Sequence, residues 1–359
     1  MTALALAAAG ALVWRGSLIV RVEPGPPGGS LPFRFLHENL TNPSLARLRE
    51  REGLEAVVAP AGDRLGQAVR LAHWAHSQFS LGEPRDYPPW DANVILDWIR
   101  SGRTAGFCGQ YSQVYAQACL ALGWRPRYVE IGPATNPIEH FSTEVWIDPL
   151  AKWVHVDATH DVRFEAEGVP LSSLEVHRAL VEGGLERVVV RRGIEGAAVE
   201  GEERGRLLEF FYYVRFGFKM DHLSDPTPEF DRKKHFVDWN DAKTVPWEAS
   251  AVEAPEAAPH MKTAGFDVED PAVFDFPLDR VFVEGSGDRF RSVATIRLTN
   301  EIPDFARYRW RIAGGAWREV AGDEVEVEVG DEEVSLEFVG VNERGVEGVP
   351  TSVSLRWWP

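Results

Sequence analysis

Cysteine is scarce in this chain of 359 residues, which has only Cys108 and Cys119. Two cysteines cannot form the dense disulfide framework of small secreted domains. Both fall in one predicted helix, where the residues between them place their Cα atoms about 16 Å apart. A disulfide needs Cα atoms within about 7 Å of each other. We therefore expect two free thiols.

Long apolar runs are also rare. The stretch 3–14 holds twelve residues, too few for a transmembrane helix. It fits the apolar part of a secretory signal, although no Lys or Arg precedes it. The pattern favours an exported or cell-envelope protein over a cytoplasmic one, with a buried strand as the alternative interpretation of this stretch.

Basic residues are outnumbered, because 38 Lys and Arg face 55 Asp and Glu for a net charge of −17. Such a surface repels phosphate backbones, so we expect no nucleic-acid partner. With 44% hydrophobic and 26% charged residues, the composition is nevertheless that of a folded globular protein.

Hydrophobic periodicity divides the chain into four predicted parts. Residues 1–55 form an N-terminal segment, 56–165 a core of helices followed by strands, and 166–270 an accessory or linker region that packs on the core. Residues 271–359 alternate polar and apolar positions between frequent turns, which predicts a β-sandwich of the immunoglobulin-like or fibronectin-like type. The predicted fold class is α+β.

The stretch 106–123, GFCGQYSQVYAQACLALG, predicts a helix that begins near Cys108 and ends at Gly123. The helix dipole at this first turn favours a thiolate. The backbone N–H groups there can stabilise an oxyanion, which makes Gly109 a further candidate. Cys119 lies on the packed face of the helix and is expected to be structural.

The stretch 140–157, HFSTEVWIDPLAKWVHVD, predicts two antiparallel strands joined by a turn. Because side chains alternate between the faces of a strand, His140 and Asp157 share the face opposite the apolar one. A two-residue turn would place them directly across from each other, about 5 Å apart at Cβ. A longer turn would offset them, and we would then expect a bulge or bend.

Cysteine, histidine and aspartate in this order supply a nucleophile, a general base and acid, and an orienting carboxylate. Asp157 would fix the tautomer of His140, His140 would take the proton of Cys108, and the thiolate would attack a carbonyl. This chemistry needs no metal ion and no cofactor, and we expect neither.

The segments GFCGQYSQVYAQACLALGWRPRYVEIG, HFSTEVWI and KWVHVD resemble the transglutaminase-like superfamily, a branch of the papain-like fold. The resemblance covers about residues 60–165, and the spacing from His to Asp is similar to that of peptide:N-glycanases. It implies Cys108 as nucleophile, His140 as base and Asp157 as orienting residue. It also implies an upstream oxyanion donor, for which Trp74 and Gln78 are candidates. The paired zinc-binding cysteines of eukaryotic glycanases and the calcium sites of animal transglutaminases have no counterpart in this sequence.

Four other residues need interpretation. Trp146 is a candidate for the wall of a cleft, with packing within the sheet as the alternative. His155 lies on the same predicted face as Asp157 and is either a partner of the catalytic pair or a structural histidine. His73 and His76 have a spacing that metals can use, but the pattern suggests no third ligand, so we expect a packed or solvated pair.

The resemblance leaves the acyl acceptor open. We favour hydrolysis, as by a peptidase, amidase or deglycosylase, over transamidation, with a protein, peptide or glycopeptide as substrate. The alternative is a catalytically inactive module that binds peptide or glycan. The β-sandwich is expected to be a structural appendage or a contact for cell wall or polysaccharide, and the Ala-, Gly- and Arg-rich composition favours a bacterial source.

Overall fold

The computed structural model describes residues 12–15, 18–23, 31–135, 139–226, 235–240, 266–288 and 290–357. The chain divides into two compact units, one formed by 1–34 with 270–359 and the other by 35–269. Most of the apolar stretch 3–14 and the whole Pro/Ala-rich stretch 249–259 lie outside the described residues. None of the helices in the described ranges has both the length and the apolar character that a membrane crossing requires.

Helices are concentrated in the unit 35–269. In chain order the described helices are α1 Pro43–Glu52, α2 Leu54–Val58, α3 Arg64–Ser77, α4 Ala92–Arg100, α5 Cys108–Ala121, α6 Ser173–Glu182, α7 Gly201–Glu209 and α8 Pro271–Phe274. Of these, α8 belongs to the other unit. Short 3₁₀ turns cover Asp148–Leu150, Leu185–Arg187 and Phe210–Tyr212. Polar side chains begin several helices: Asn42, Asp63 and Asp91 each accept a hydrogen bond from a backbone N–H of the first turn of α1, α3 and α4.

The strands belong to three sheets. They are β1 Leu12–Arg15, β2 Leu18–Glu23, β3 Pro126–Gly132, β4 His140–Ile147, β5 Lys152–Asp157, β6 Val162–Ala166, β7 Val169–Pro170, β8 Val188–Arg192, β9 Ala197–Val199, β10 Tyr213–Gly217, β11 Phe236–Trp239, β12 Phe266–Val268, β13 Val281–Asp288, β14 Val293–Asn300, β15 Phe305–Ile312, β16 Arg318–Glu319, β17 Glu324–Glu328, β18 Val334–Asn342 and β19 Thr351–Trp357.

One sheet runs through the unit 35–269 in the order β12-β11-β10-β3-β4-β5-β6-β8-β9, with β7 paired to β6. Its pairs are antiparallel except for β11 with β12. The region 166–270, expected to be an accessory layer, supplies strands to both sides of β3–β6. It continues the sheet that holds His140 and Asp157.

Helix α5 is the interior helix of this unit, since every residue from Gly109 to Ala121 is buried. Its side chains share one hydrophobic cluster with α1–α4 and with the apolar face of β4 and β5, including Leu96, Val114, Val145 and Val154. Fully burying each such side chain is worth about 1.5–3 kcal/mol. This packing fixes the helix against the two strands that carry the histidine and the aspartate.

The opposite face of β4 and β5 is buried as well. Glu144 is fully buried and accepts hydrogen bonds from the guanidinium of Arg127 at 2.6 Å and from the backbone N–H of Ser173. The ring of Phe211 packs edge-on against His155 at 4.9 Å between centroids. The start of α6 and the turn Phe210–Tyr212 therefore contact this face.

The other unit contains the two remaining sheets, β1-β2-β19-β18-β15-β16 and β13-β14-β17. Side chains of both sheets form one hydrophobic cluster, for example Val20 and Phe338 from the first and Ile296 from the second. At Gly285 an added Cβ would lie 2.6 Å from a methyl group of Val20, so the close packing there requires glycine. These strands are compatible with the predicted β-sandwich. The predicted N-terminal segment 1–55 is divided, since β2 pairs with β19 whereas α1 belongs to the unit 35–269.

Candidate active site

Cys108 is half-buried and is the first residue of α5. The chain reaches it through Gly106, where a Cβ would lie 2.6 Å from the ring of Phe79. Only glycine allows the backbone to pass this ring so closely. The carbonyl of Gly106 also accepts a hydrogen bond from the N–H of Gly82 at 2.8 Å. The entry to the helix is thus held from two sides, and this fixes the position of the thiol.

The first turn of α5 is partly capped by its own sequence. The side chain of Gln110 accepts a hydrogen bond from the N–H of Phe107 at 3.1 Å. The N–H groups of Cys108 and Gly109 follow, in the part of a helix where N–H groups have no acceptor within the helix. They are the backbone donors closest in sequence to the thiol, and the helix dipole adds partial positive charge there.

Hydrogen bonds at Ser112 connect α5 to the strand of His140. The hydroxyl of Ser112, one turn after Cys108, donates to the carbonyl of Phe141 at 2.9 Å. Ser112 is buried, so this bond is shielded from water. The Cys108 side chain contributes to the raised pKa of His140, so the thiol lies close to this imidazole. The helix and the strand are therefore held in the relative position that brings the thiol to the ring.

His140 and Asp157 form the next contact, with 2.7 Å between His140 Nε2 and Asp157 Oδ2. The register of β4 and β5 is regular from Thr143 opposite Val156 to Ile147 opposite Lys152, with four residues in the turn. If this register is continued by one pair, Ser142 lies opposite Asp157. His140, two residues before Ser142 on the same face, is then the diagonal neighbour of Asp157. Diagonal neighbours on one face are within reach of long side chains. The longer turn thus occurs, but the contact forms without the bulge or bend that was expected.

Asp157 is buried and accepts hydrogen bonds at both oxygens. Oδ1 accepts from the backbone N–H groups of Thr159 at 2.7 Å and His160 at 3.2 Å. Oδ2 accepts from His140 and also from Nδ1 of His160 at 2.8 Å. The sequence analysis missed His160. Its signal was present, since a histidine three residues after the orienting carboxylate lies within reach once the strand ends in a turn.

Burial and charge act in opposite directions on this pair. Burial disfavours the imidazolium of His140, but the Asp157 carboxylate and the hydrogen bonds to Asp157 and Cys108 outweigh it and raise the pKa of His140 to about 10. Burial likewise disfavours ionised Asp157, yet the two imidazoles hold the pKa of its carboxyl well below its usual range. The pair therefore exists as imidazolium and carboxylate at neutral pH.

Phe210 covers His140 with its ring, nearly parallel at 5.1 Å between centroids. The same phenyl ring lies 6.0 Å from the ring of His160. An apolar cover of this kind excludes water from one side of the imidazole and strengthens the hydrogen bonds beneath it. Nothing in the local sequence indicates that Phe210 covers His140, because the two residues are far apart along the chain.

The upstream oxyanion candidates lie at the end of α3 and have other partners. The Gln78 amide donates through Nε2 to the Trp74 carbonyl at 2.8 Å, and its Oε1 accepts from the guanidinium of Arg100. Trp74 is partly buried and packs against the hydrophobic cluster of α5. Both ends of the Gln78 amide are thus hydrogen-bonded to groups other than Cys108.

Burial decides the interpretation of Trp146 and His155, the two further candidates in the hairpin of β4 and β5. Trp146 is 4% exposed and packs edge-on against Trp153, so it belongs to the sheet interior and does not line an open cleft. His155 is fully buried between the hydroxyls of Ser142 at 3.1 Å and Ser173 at 2.8 Å. Burial lowers the pKa of His155 to about 4. It is therefore a neutral structural histidine.

The remaining thiol and the histidine pair of α3 also have structural partners. Cys119 is fully buried, and burial raises the pKa of its thiol. His73 Nδ1 lies 2.7 Å from Asp161 Oδ2, and His76 Nδ1 lies 3.1 Å from the Thr159 carbonyl oxygen. The two histidines thus hold the turn that follows Asp157, rather than forming a ligand pair of their own.

A comparison with protein families matches the part of the chain that contains these residues. Residues 53–158 match the family model described as the transglutaminase-like superfamily. No protein of curated function matches the chain. Among solved structures, a candidate cysteine protease from Cytophaga hutchinsonii shares 19% identity with a TM-score of 0.27, covering 35% of this chain and 40% of its own. A candidate protease from Parabacteroides distasonis shares 13% identity with a TM-score of 0.23, covering 44% of this chain and 30% of its own.

Red sea bream transglutaminase shares 9% identity with a TM-score of 0.24, covering 92% of this chain and 76% of its own. The chain spans less than half the length of the two proteins named first. The segment matched by the family model contains α3, α5, β4 and β5, and hence the three residues on which the predicted resemblance rests. Residues 53–158 of this chain are a transglutaminase-like core.

Proposed function

We propose that this protein is a thiol enzyme that attacks an amide carbonyl through a thioester on Cys108. The observation that carries the proposal is the buried hydrogen bond of 2.7 Å between His140 Nε2 and Asp157 Oδ2, with Cys108 beside the same imidazole at the start of α5. Cys108 also contributes to the raised pKa of His140. Nucleophile, base and orienting group each have the partner that this chemistry requires.

The raised pKa of His140 defines how the reaction begins. An imidazolium beside Cys108 stabilises the thiolate, which attacks the carbonyl carbon. The carbonyl oxygen becomes an oxyanion, for which the N–H groups of Cys108 and Gly109 are the donors we propose. His140 then gives its proton to the departing amine, and the acyl group stays on sulfur as a thioester.

The second half-reaction transfers the acyl group to water or to an amine. We propose water, and hence a peptidase, amidase or deglycosylase acting on a protein, peptide or glycopeptide. His140 takes a proton from the attacking water and returns it to the sulfur. In this proposal the unit with β13–β19 is an immunoglobulin-like or fibronectin-like appendage that contacts cell wall or polysaccharide, and export of the protein fits that role.

Alkylation by iodoacetamide tests the thiol directly. At pH 6, Cys108 should react at least about tenfold faster than a free cysteine, because the imidazolium of His140 would pair with its thiolate. Cys119 is the internal control, since it is fully buried and should stay unmodified in the folded protein. Mass spectrometry of the two cysteine peptides gives both rates from one sample.

His140→Ala should lower the Cys108 rate to that of a free cysteine while leaving Cys119 unmodified. Equal slow labelling with and without His140 would instead support the alternative, an inactive module that binds peptide or glycan. A second experiment identifies the acceptor: incubation with peptide, glycopeptide and peptidoglycan-stem libraries. Cleavage or deamidation supports hydrolysis, whereas a mass gain equal to an added amine supports transamidation.

A further inference from the structure

Three ligating atoms meet at the buried end of the proposed catalytic site. His140 Nε2, Asp157 Oδ2 and His160 Nδ1 lie within 4.8 Å of one another, one atom from each residue. Both imidazoles hydrogen-bond the same carboxylate oxygen, at 2.7 and 2.8 Å. Orienting His140 needs only Asp157, so the second imidazole on this oxygen is additional to what the thiol chemistry requires.

The donor set defines the ion that would fit. Two imidazole nitrogens with one carboxylate oxygen suit zinc and similar divalent transition metals, whereas calcium and magnesium prefer oxygen ligands alone. In a zinc site with bonds of about 2.0–2.1 Å, neighbouring ligand atoms are roughly 3.3 Å apart. The two hydrogen bonds would open by about half an ångström to admit an ion of this size. Rotation of the exposed ring of His160 can supply much of this movement.

The surroundings of the cluster support a metal site in two ways. The second oxygen of Asp157 is held by the N–H groups of Thr159 and His160, which is the kind of outer contact that orients a ligating carboxylate. The His160 side chain is 32% exposed, whereas those of His140 and Asp157 are 4% and 3% exposed. An ion would thus enter from solvent past His160 and reach two preformed ligands behind it.

We propose that these three side chains form a site for a divalent transition metal such as Zn²⁺, and that the bound metal inhibits the thiol enzyme proposed above. This inference rests on that proposed function. A metal on Nε2 replaces the proton shared with Asp157, and a second proton leaves His160 Nδ1. His140 then keeps its remaining proton on the nitrogen that faces Cys108. This neutral, metal-bound imidazole still pairs with the thiolate, but it is a far weaker acid than the imidazolium and cannot protonate the departing amine. It also cannot accept a proton from the attacking water, so turnover is arrested.

Zinc chloride alone is the probe. Saturating Zn²⁺ should slow at least tenfold the conversion of a library peptide that the enzyme turns over, and a chelator should restore the rate. Zn²⁺ affinity, measured by competition with a chromophoric chelator, should fall at least tenfold in His160→Phe, since losing a ligand has an effect of at least this size. His160→Asn, which keeps a hydrogen-bond donor but is a poor zinc ligand, should show the same loss and serves if the Phe variant does not fold.

His73→Gln is the matched control, because His73 is another partly exposed histidine on a buried aspartate, and glutamine keeps a hydrogen-bond donor for Asp161. It should bind Zn²⁺ as the wild type does. Cys108→Ala should also retain Zn²⁺ affinity, because the thiol is not a ligand. Loss of binding in Cys108→Ala, or unchanged binding in both His160 variants, would overturn the proposal.

The same experiment distinguishes this proposal from the proposed function. If Cys108 labelling without metal is slow and independent of His140, the thiol enzyme fails whatever the metal does. If labelling is fast and depends on His140 but Zn²⁺ does not slow turnover, the enzyme stands and the inhibitory site is refuted. The ratio of rates with and without Zn²⁺ is measured within each variant, so changes in its metal-free rate do not affect the comparison.

Discussion

Asp157 carries more contacts than an orienting carboxylate needs. Its two oxygens accept four hydrogen bonds, two from backbone N–H groups and two from imidazoles. Because the backbone fixes one oxygen, the other is presented to His140 in a set direction. A buried carboxylate with all its acceptor positions occupied stays ionised, and its charge is what keeps His140 protonated beside the thiol.

Asp157→Asn removes that charge while keeping the shape of the side chain. Without the carboxylate, burial dominates and the pKa of His140 falls, so the imidazolium no longer stabilises the thiolate at pH 6. We expect Cys108 alkylation at pH 6 to slow at least about tenfold and its rate to rise only toward the usual thiol pKa. A pH series of labelling rates checks this. An unchanged profile in the variant would mean that Asp157 does not control the pair.

His155 predicts a dependence of stability on pH. Its pKa is about 4 when folded and buried, below the 6.5 of an unperturbed histidine, so the unfolded chain binds a proton that the folded one does not. Stability from this residue is present above pH 6.5 and is lost as the pH falls from 6.5 to about 4. The loss is on the order of 3 kcal/mol.

His155→Gln should reduce the decrease in unfolding free energy at acid pH. It should also lower stability at neutral pH by weakening the hydrogen bonds to Ser142 and Ser173. Urea titrations between pH 4 and 7 measure the slope in both proteins. Equal slopes in wild type and variant would contradict the assignment of His155 as a neutral buried group.

At the scale of elements, the site depends on contacts between α5, β4 and β5. The apolar face of the strands packs against α5, and the Ser112 hydroxyl bonds the Phe141 carbonyl. On the other face, Arg127 of β3 and the N–H of Ser173 at the start of α6 both bond Glu144 of β4. The strand of His140 is thus held from both sides.

Arg127→Met tests the polar side of this arrangement. It leaves the buried Glu144 carboxylate without its cation, which typically costs about 3–5 kcal/mol of unfolding free energy. The double variant Arg127→Met with Glu144→Met removes the uncompensated charge and should be less destabilised than the single variant. Urea denaturation followed by circular dichroism compares the two. A double variant that is less stable than Arg127→Met would refute this account of the ion pair.

At the scale of the whole molecule, each unit has its own hydrophobic cluster. Phe338 belongs to the cluster of the β13–β19 unit, and Leu96 to that of the unit 35–269, and both are fully buried. Cys119 lies in the second cluster, so its exposure to alkylation in urea reports the unfolding of that unit.

Phe338→Ala should destabilise its own unit by about 3–5 kcal/mol and leave the urea midpoint of Cys119 alkylation unchanged. Leu96→Ala, the matched substitution, should lower that midpoint because its cavity would cost about 2–5 kcal/mol in the unit that holds Cys119. A drop in the Cys119 midpoint with Phe338→Ala would show that the two units unfold together.

The sequence by itself determined which segments are helices and strands around the site, because α5, β4 and β5 have strong local periodicity and clear ends. It also determined that His140 and Asp157 share a face, since alternation along a strand does not depend on the rest of the fold. Cys108 at the start of a helix is likewise a local property.

Only the tertiary structure decided what those residues contact. The second imidazole at Asp157, the ring of Phe210 on His140 and the burial of Trp146 and His155 all depend on segments far apart in sequence or on a turn of irregular geometry. The strands after residue 166 joined the existing sheet, an outcome of long-range pairing that local patterns do not encode. Contacts between distant segments depend on the packing of the whole chain, and these contacts set the charge and solvent access of the site.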